Sequence, residues 1–254
     1  MTPAPPPTGR GIRIAVIDSG VHPRHPHIDA RRLAGGVAIT REGAIEDAPS
    51  ALLDRLGHGT AVTAAIQERA PDAEVLTVRV FRDALRASPA ALIAAITWSI
   101  AAGADIVNLS LGSTNAAHRE AFAAVVARAC AAGVLIVAAR SSGGMACWPG
   151  ALPDVLGVEL DWSCPRGTYR TVARAPFVRA SGHPRPIDGI APARNLHGVS
   201  FAVAQVTGIA ACAAERAKAE SGAPAATLRA LLAGAASPIG RPRRGGASEL
   251  LAEA

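Results

Sequence analysis

The sequence predicts a three-layer α/β fold, a mainly parallel sheet flanked by helices on both faces. Three observations predict it. Short apolar runs, IRIAVI, VLTVRV, DIVNL and VLIVAA, recur along the chain. They alternate with alanine-rich stretches of helical length, the order that builds parallel sheets. The first run is apolar almost throughout, without the polar alternation of a half-exposed strand, so it is covered on both faces.

The elements follow in order. Ile12–Ile17 is a strand bounded by glycines, and Gly59–Glu68 is a helix. Val75–Val80 is a strand, and Pro89–Ala102 a helix with proline in its first turn, where the missing N–H costs nothing. Ile106–Leu109 is a strand. Ala116–Ala132 is a helix stopped by Gly133. Val134–Ala139 and Val155–Glu159 are strands, Val199–Ala219 is a long helix, and Pro224–Ala235 is a shorter one. Residues 1–10, with their PAPPP stretch, read as a disordered arm. Residues 11–237 read as one domain, and 238–254 as a polar tail rich in Gly and Arg. No internal repeat or long linker divides the chain.

The 254 residues are half apolar, enough for one large domain that buries roughly three quarters of its unfolded surface. Aromatics make up 3%, so the core is aliphatic. The formal charge is +6, carried almost wholly by arginine, with Lys218 the single lysine. The arginines are scattered, apart from RPRR at 241–244, with no aromatics interleaved, which speaks against nucleic acid. An acidic peptide partner suits the charge better. Cys130, Cys147, Cys164 and Cys212 form no CxxC pair and read as free thiols in a reducing compartment. The first ten residues carry no apolar signal core, and the apolar stretch 90–104 is interrupted by Thr97 and Ser99. The expectation is a cytoplasmic protein that does not span a membrane.

In parallel α/β sheets, sites form beyond the carboxyl ends of strands. After IRIAVI comes Asp18-Ser19-Gly20, and Gly57-His58-Gly59-Thr60 opens a helix. Gly198-Val199-Ser200 opens another. Each alone has an ordinary reading as a turn or a helix cap. Together they supply a carboxylate, a base and a hydroxyl. A serine hydroxyl becomes nucleophilic when histidine takes its proton, and a carboxylate fixes the imidazole tautomer.

IAVIDSGVHPRHPHI, GHGTAVTAAI, DIVNLSLG and GVSFAVAQVTGIAA resemble the signature blocks of the subtilisin-like serine peptidases, in that family's order. The resemblance runs from about Ile12 to Ala235. It implies a subtilisin-like fold and a serine endopeptidase acting on a peptide or protein substrate. It makes Asp18 the orienting acid, His58 the general base and Ser200 the nucleophile. It places Ser110, Leu111 and Gly112 along the substrate backbone, and Ala139 and Arg140 at the pocket for the residue before the cut, the other reading of Arg140 being an arginine turned to solvent or bonded to loop carbonyls. It implies a cis bond at Trp148-Pro149.

The chain also departs from the pattern. Where an oxyanion-binding asparagine is usual, the register from Gly133 puts Ser142, leaving the Ser200 backbone N–H as the second donor. The serine block has Phe201, Ala204 and Gln205 where methionine, proline and histidine are usual. The loop that commonly holds calcium is absent, and no other acidic loop has ligand spacing, so neither metal nor cofactor is expected. Asp18 lies near the start, so the expectation is that no propeptide precedes it. These features imply an intracellular enzyme of narrow specificity, suited to removing the leader of a modified peptide. The alternative is an impaired pseudoprotease that binds peptides or a partner protein.

Overall fold

The computed structural model describes residues 5–172, 175 and 177–220. The expected helix Pro224–Ala235, the tail 238–254 and the first four residues of the arm lie outside these.

The chain opens with β1 (Arg13–Asp18), then β2 (Leu33–Ile39) and β3 (Ile45–Glu46). Next come α1 (His58–Arg69), β4 (Glu74–Arg79), α2 (Pro89–Ala101) and β5 (Ile106–Leu109). A short 3₁₀ turn, Ala116–His118, leads into α3 (Arg119–Ala131), so the expected helix begins three residues later as a true α-helix. β6 (Leu135–Ala139) is followed by a small hairpin of β7 (Ser141–Ser142) and β8 (Met145–Ala146). β9 (Leu156–Leu160), β10 (Tyr169–Thr171), β11 (Phe177–Ala180) and α4 (Val199–Glu220) complete the described chain.

Nine strands form one sheet in the order β10-β11-β9-β6-β5-β1-β4-β2-β3. The inner strands are parallel, and only the edge pairs β2–β3 and β10–β11 are antiparallel. Side chains alternate across β1 as a two-faced strand requires. Ile14 and Val16 pack with Val62 and Ile66 of α1 and Phe201, Val203 and Val206 of α4. Ala15 and Ile17 pack with Leu92 and Ile96 of α2 and Phe122 and Val125 of α3. The layers are therefore α1 and α4, the sheet, then α2 and α3.

β1 lies between β5 and β4, so the chain reverses its direction of growth across β1. Such a switch point leaves a crevice beyond the strand's carboxyl end. Asp18 is the last residue of β1 and stands at that crevice. Trp148-Pro149 is cis, as expected, and Cys130, Cys147, Cys164 and Cys212 are in no disulfide. No helix among the described residues is long and apolar enough to cross a membrane. No group of His, Cys, Asp or Glu among them is placed to hold a metal ion.

Candidate active site

Asp18 is fully buried, and its Oδ1 lies 2.7 Å from His58 Nδ1. The Ser19 N–H also donates to Oδ1, at 2.8 Å. The other oxygen, Oδ2, is buried with no hydrogen-bond partner among the described residues. A buried carboxylate with half its acceptors unmet depends on its remaining partners. Here that partner is the imidazole, whose Nδ1–H is thereby fixed toward Asp18. The His58 ring is mostly enclosed. Burial works against its charged form. The hydrogen bond and charge of Asp18, with the charge of Asp54, outweigh burial and raise its pKa above the usual histidine value.

The close approach of β1 and α1 depends on glycine. A Cβ on Gly59 would lie 2.3 Å from the Gly20 carbonyl oxygen, inside any allowed contact. Glycine at 59 therefore lets the first turn of α1 sit directly on the end of β1 and brings the ring to the carboxylate.

Asp54 is the residue that motif reading missed. It is buried and accepts five hydrogen bonds. Ser19 Oγ, Leu56 N–H and Gly57 N–H donate to Oδ1, each at 2.9 Å. Thr60 N–H and Oγ1 donate to Oδ2 at 2.8 and 2.6 Å. Ser19 Oγ in turn accepts the Gly59 N–H at 2.8 Å. One carboxylate thus satisfies the free donors at the start of α1 and ties them to the residue beside Asp18. No motif marks it, because the N-cap position next to the helix is Gly57 and Asp54 reaches its donors from three residues farther upstream.

Ser200 is the second residue of α4, on the other side of the crevice. The Ser110 hydroxyl reaches the Ser200 carbonyl at 3.5 Å, and the Phe201 ring lies 5.7 Å from the His58 ring between centroids. Ser200 Oγ makes no hydrogen bond to His58; such bonds are often long in free enzymes and close when substrate binds. Gln205, at the position where histidine is usual, is fully buried and satisfied. Its amide N–H groups donate to the Ser181 and His183 carbonyls at 2.7 and 3.1 Å, and its oxygen accepts the Gly167 N–H at 2.6 Å. It holds two loops against α4.

A cleft of about 1110 Å³ runs up to Val199, the residue before Ser200; Asp18 and His58 do not line it. Small-molecule pockets run to roughly 300–1,000 Å³, so this one has room for a stretch of peptide. Ser110, Leu111, Gly112, Ala139 and Ser142 all line it, with Val199 at the end next to Ser200. Arg140 does not. It turns to the far side of the sheet end, where Nε lies 3.3 Å from Glu159 Oε1 and the guanidinium stacks 4.2 Å from the Phe177 ring centre. A carboxylate and an aromatic face together hold it away from the cleft, which corrects the expectation that it lines the substrate pocket. Ser142 sits in the tip hairpin, exposed toward the cleft. Cys147 lies at the cleft's base, its thiol pushed up to about 11 by burial, so it stays protonated and inert.

Comparison with known proteins matches this arrangement. The profile described as "Subtilase family" matches residues 9–155. The Thermostable alkaline protease of Halalkalibacterium halodurans is 30% identical over 223 residues, 82% of this chain and 58% of that protein. The Minor extracellular protease Epr of Bacillus subtilis is 34% identical over 146 residues, 54% of this chain and 21% of its own. The chain thus spans less than two thirds of the length of these relatives. Among solved structures, Sphericase superposes with a TM-score of 0.68 at 26% identity, covering 90% of this chain and 84% of its own. A cold adapted subtilisin-like serine proteinase superposes with a TM-score of 0.69 at 20% identity, covering 89% of this chain and 82% of its own. With the buried Asp18–His58 pair at the end of β1 and the profile match over more than half its length, the chain belongs to the subtilase family.

Proposed function

We propose that this chain is a serine endopeptidase. The observation that carries the reading is the buried Asp18–His58 contact at the sheet's switch point, facing the start of α4 beside a peptide-sized cleft. Ser200 Oγ attacks the scissile carbonyl while its proton passes to His58 Nε2. Asp18 accepts from Nδ1–H and stabilises the imidazolium. His58 then gives that proton to the leaving amine. Water, deprotonated by His58, attacks the acyl-enzyme and restores Ser200. The tetrahedral oxyanion is met by the Ser200 backbone N–H and the Ser142 hydroxyl.

The finer reading is an enzyme that acts inside the cell on few substrates and removes the leader segment from a modified peptide. Four cysteines outside any disulfide suit a reducing compartment, and a basic enzyme suits an acidic leader. A second reading, a peptide-binding pseudoprotease, is favoured by Ser142, whose hydroxyl is shorter than the usual amide, and by the lack of a hydrogen bond between Ser200 Oγ and His58.

Intact-mass measurement after fluorophosphonate treatment separates the two. The peptidase gives a single adduct on the wild type and none on Ser200→Ala or His58→Ala, and the same two variants lose peptide cleavage. A folded wild type that gains no mass supports the pseudoprotease instead.

A further inference from the structure

The cleft wall opposite Ser110–Gly112 is basic. The segment between β4 and α2 lines the cleft with Arg82, Asp83 and Arg86, and the turn between β2 and β3 adds Arg41. None of these belongs to the blocks that carry the family resemblance. Arg82 is committed elsewhere, with its guanidinium 2.7 Å from Glu46 Oε2. Arg41 and Arg86 are exposed, and their guanidiniums have no partner among the described residues. Their backbones are held, since Ser88 Oγ donates to the Arg41 carbonyl and the Arg86 N–H donates to the Ala84 carbonyl.

Behind this wall stands Arg79, nearly buried. It donates to the Phe81 and Ala51 carbonyls at 3.1 and 2.9 Å, and to no carboxylate among the described residues. Burial first, then the charges of Arg55 and Arg82, lower its pKa, while Asp54 and Asp83 raise it. Asp83 is therefore already in the field of a fixed cation. Arg41, Arg79, Arg82 and Arg86 stand against Asp83 and Glu46, so positive charge is in surplus where a ligand would lie. The lining contains no aromatic side chain on which a nucleic-acid base would stack.

We infer that the cleft selects peptides with glutamate or aspartate upstream of the scissile bond, read by Arg41 and Arg86. The inference rests on the peptidase reading for its orientation. A peptide laid along Ser110–Gly112 with its reacting carbonyl at the Ser142–Val199 end carries its preceding residues past the 82–88 segment. Guanidinium forks bind carboxylates bidentately and on long flexible stems, so they select charge without demanding one rigid pose. Arg140, the arginine nearest the catalytic end in sequence, takes no part because Glu159 holds it.

The test uses Ser200→Ala protein and fluorescein-labelled peptides that differ only in carrying Glu, Gln or Lys upstream of one cleavable bond. Fluorescence anisotropy should show the Glu peptide binding about tenfold more tightly than the Gln peptide, with the gap closing as salt rises. Arg41→Glu with Arg86→Glu should erase the preference or turn it toward Lys. Arg24→Glu with Arg128→Glu, exposed changes of equal charge outside the cleft, should leave it intact. Arg41→Gln with Arg86→Gln gives the same reading without new carboxylates if the reversal misfolds. Equal binding of Glu and Gln peptides, or a preference that survives the double change, overturns the inference. Fluorophosphonate labelling of the Ser200 protein judges the peptidase reading separately. Labelling without Glu preference sinks only the inference, and Glu preference without labelling sinks only the peptidase reading.

Discussion

Replacing Asp54 tests whether one carboxylate assembles the catalytic pair. In Asp54→Ala, five donors lose their acceptor at once. Leu56 is half-buried and Gly57 exposed, so both reach water at modest cost. Thr60 N–H, Thr60 Oγ1 and Ser19 Oγ are enclosed. Each unmet buried donor costs roughly 1–3 kcal/mol, and the two hydroxyls can rotate toward other acceptors, so the loss comes to about 3–4 kcal/mol. A domain of this size then loses about 10 °C in Tm. It stays folded, because native stability is typically about 5–15 kcal/mol. Asp54→Asn keeps an acceptor for Leu56 and Gly57 but sets an amide donor against the Thr60 N–H, so its cost is about half as large. Removing the negative charge also lets the His58 pKa fall from its raised position. The general base must be neutral, so the acid limb of the kcat/KM profile should shift to lower pH in Asp54→Asn. Thermal unfolding and a pH–rate profile on purified protein measure both effects. A Tm within about 2 °C of wild type, together with an unmoved acid limb, would refute the network as the organiser of the site.

Other outcomes follow from the same geometry. Ser142→Asn should raise kcat on a good peptide by up to about 10²-fold if residue 142 meets the oxyanion; an unchanged kcat assigns the donor elsewhere. Gly59→Ala forces a Cβ onto the Gly20 carbonyl, and moving the His58 ring by about 1 Å should cost about 10²-fold in kcat/KM. Full activity in that variant would show that α1 shifts freely on β1. His58 has a raised folded pKa, so its contact with Asp18 adds stability in full below about pH 6.5, lost as pH rises through the folded value. Urea unfolding of wild type and His58→Gln, compared from pH 5 to 9, should therefore converge toward alkaline pH; a gap constant across that range contradicts it.

Much of the inner sheet was legible because its strands are buried on both faces and read as apolar runs. β5 falls on the residues expected, β6 starts one residue later than expected, and β1, β4 and β9 differ by a residue at each end. β2 was not legible. Its sequence, LAGGVAI, carries Gly35 and Gly36, which read as a breaker. The strand forms because β4 runs close alongside: a Cβ on Gly36 would lie 1.8 Å from the Thr77 carbonyl oxygen, and the register shifts there. β10 and β11 are short edge segments whose pairing is tertiary, as is the hairpin that presents Ser142. The site divides likewise. Asp18, His58 and Ser200 stand in local patterns. Asp54 acts through backbone donors that only the fold assembles. Arg41 and Arg86 come from separate loops, and Arg140 was placed by sequence register alone, which does not show that Glu159 competes for it.

The hydrogen bonds around Asp18 and Asp54 have a consequence for how this protein can change. The chain leaves the site at Val21 and returns at Leu53, where the two residues form a parallel bridge, and Asp54 N–H closes the neck on the Val21 carbonyl at 3.2 Å. The geometry of Asp18 and His58 is thus written into two short stretches fastened to each other. Arg41 and the segment 82–88 lie outside that fastening. The loops that line the cleft can therefore change in sequence without touching the bonds that hold His58 on Asp18.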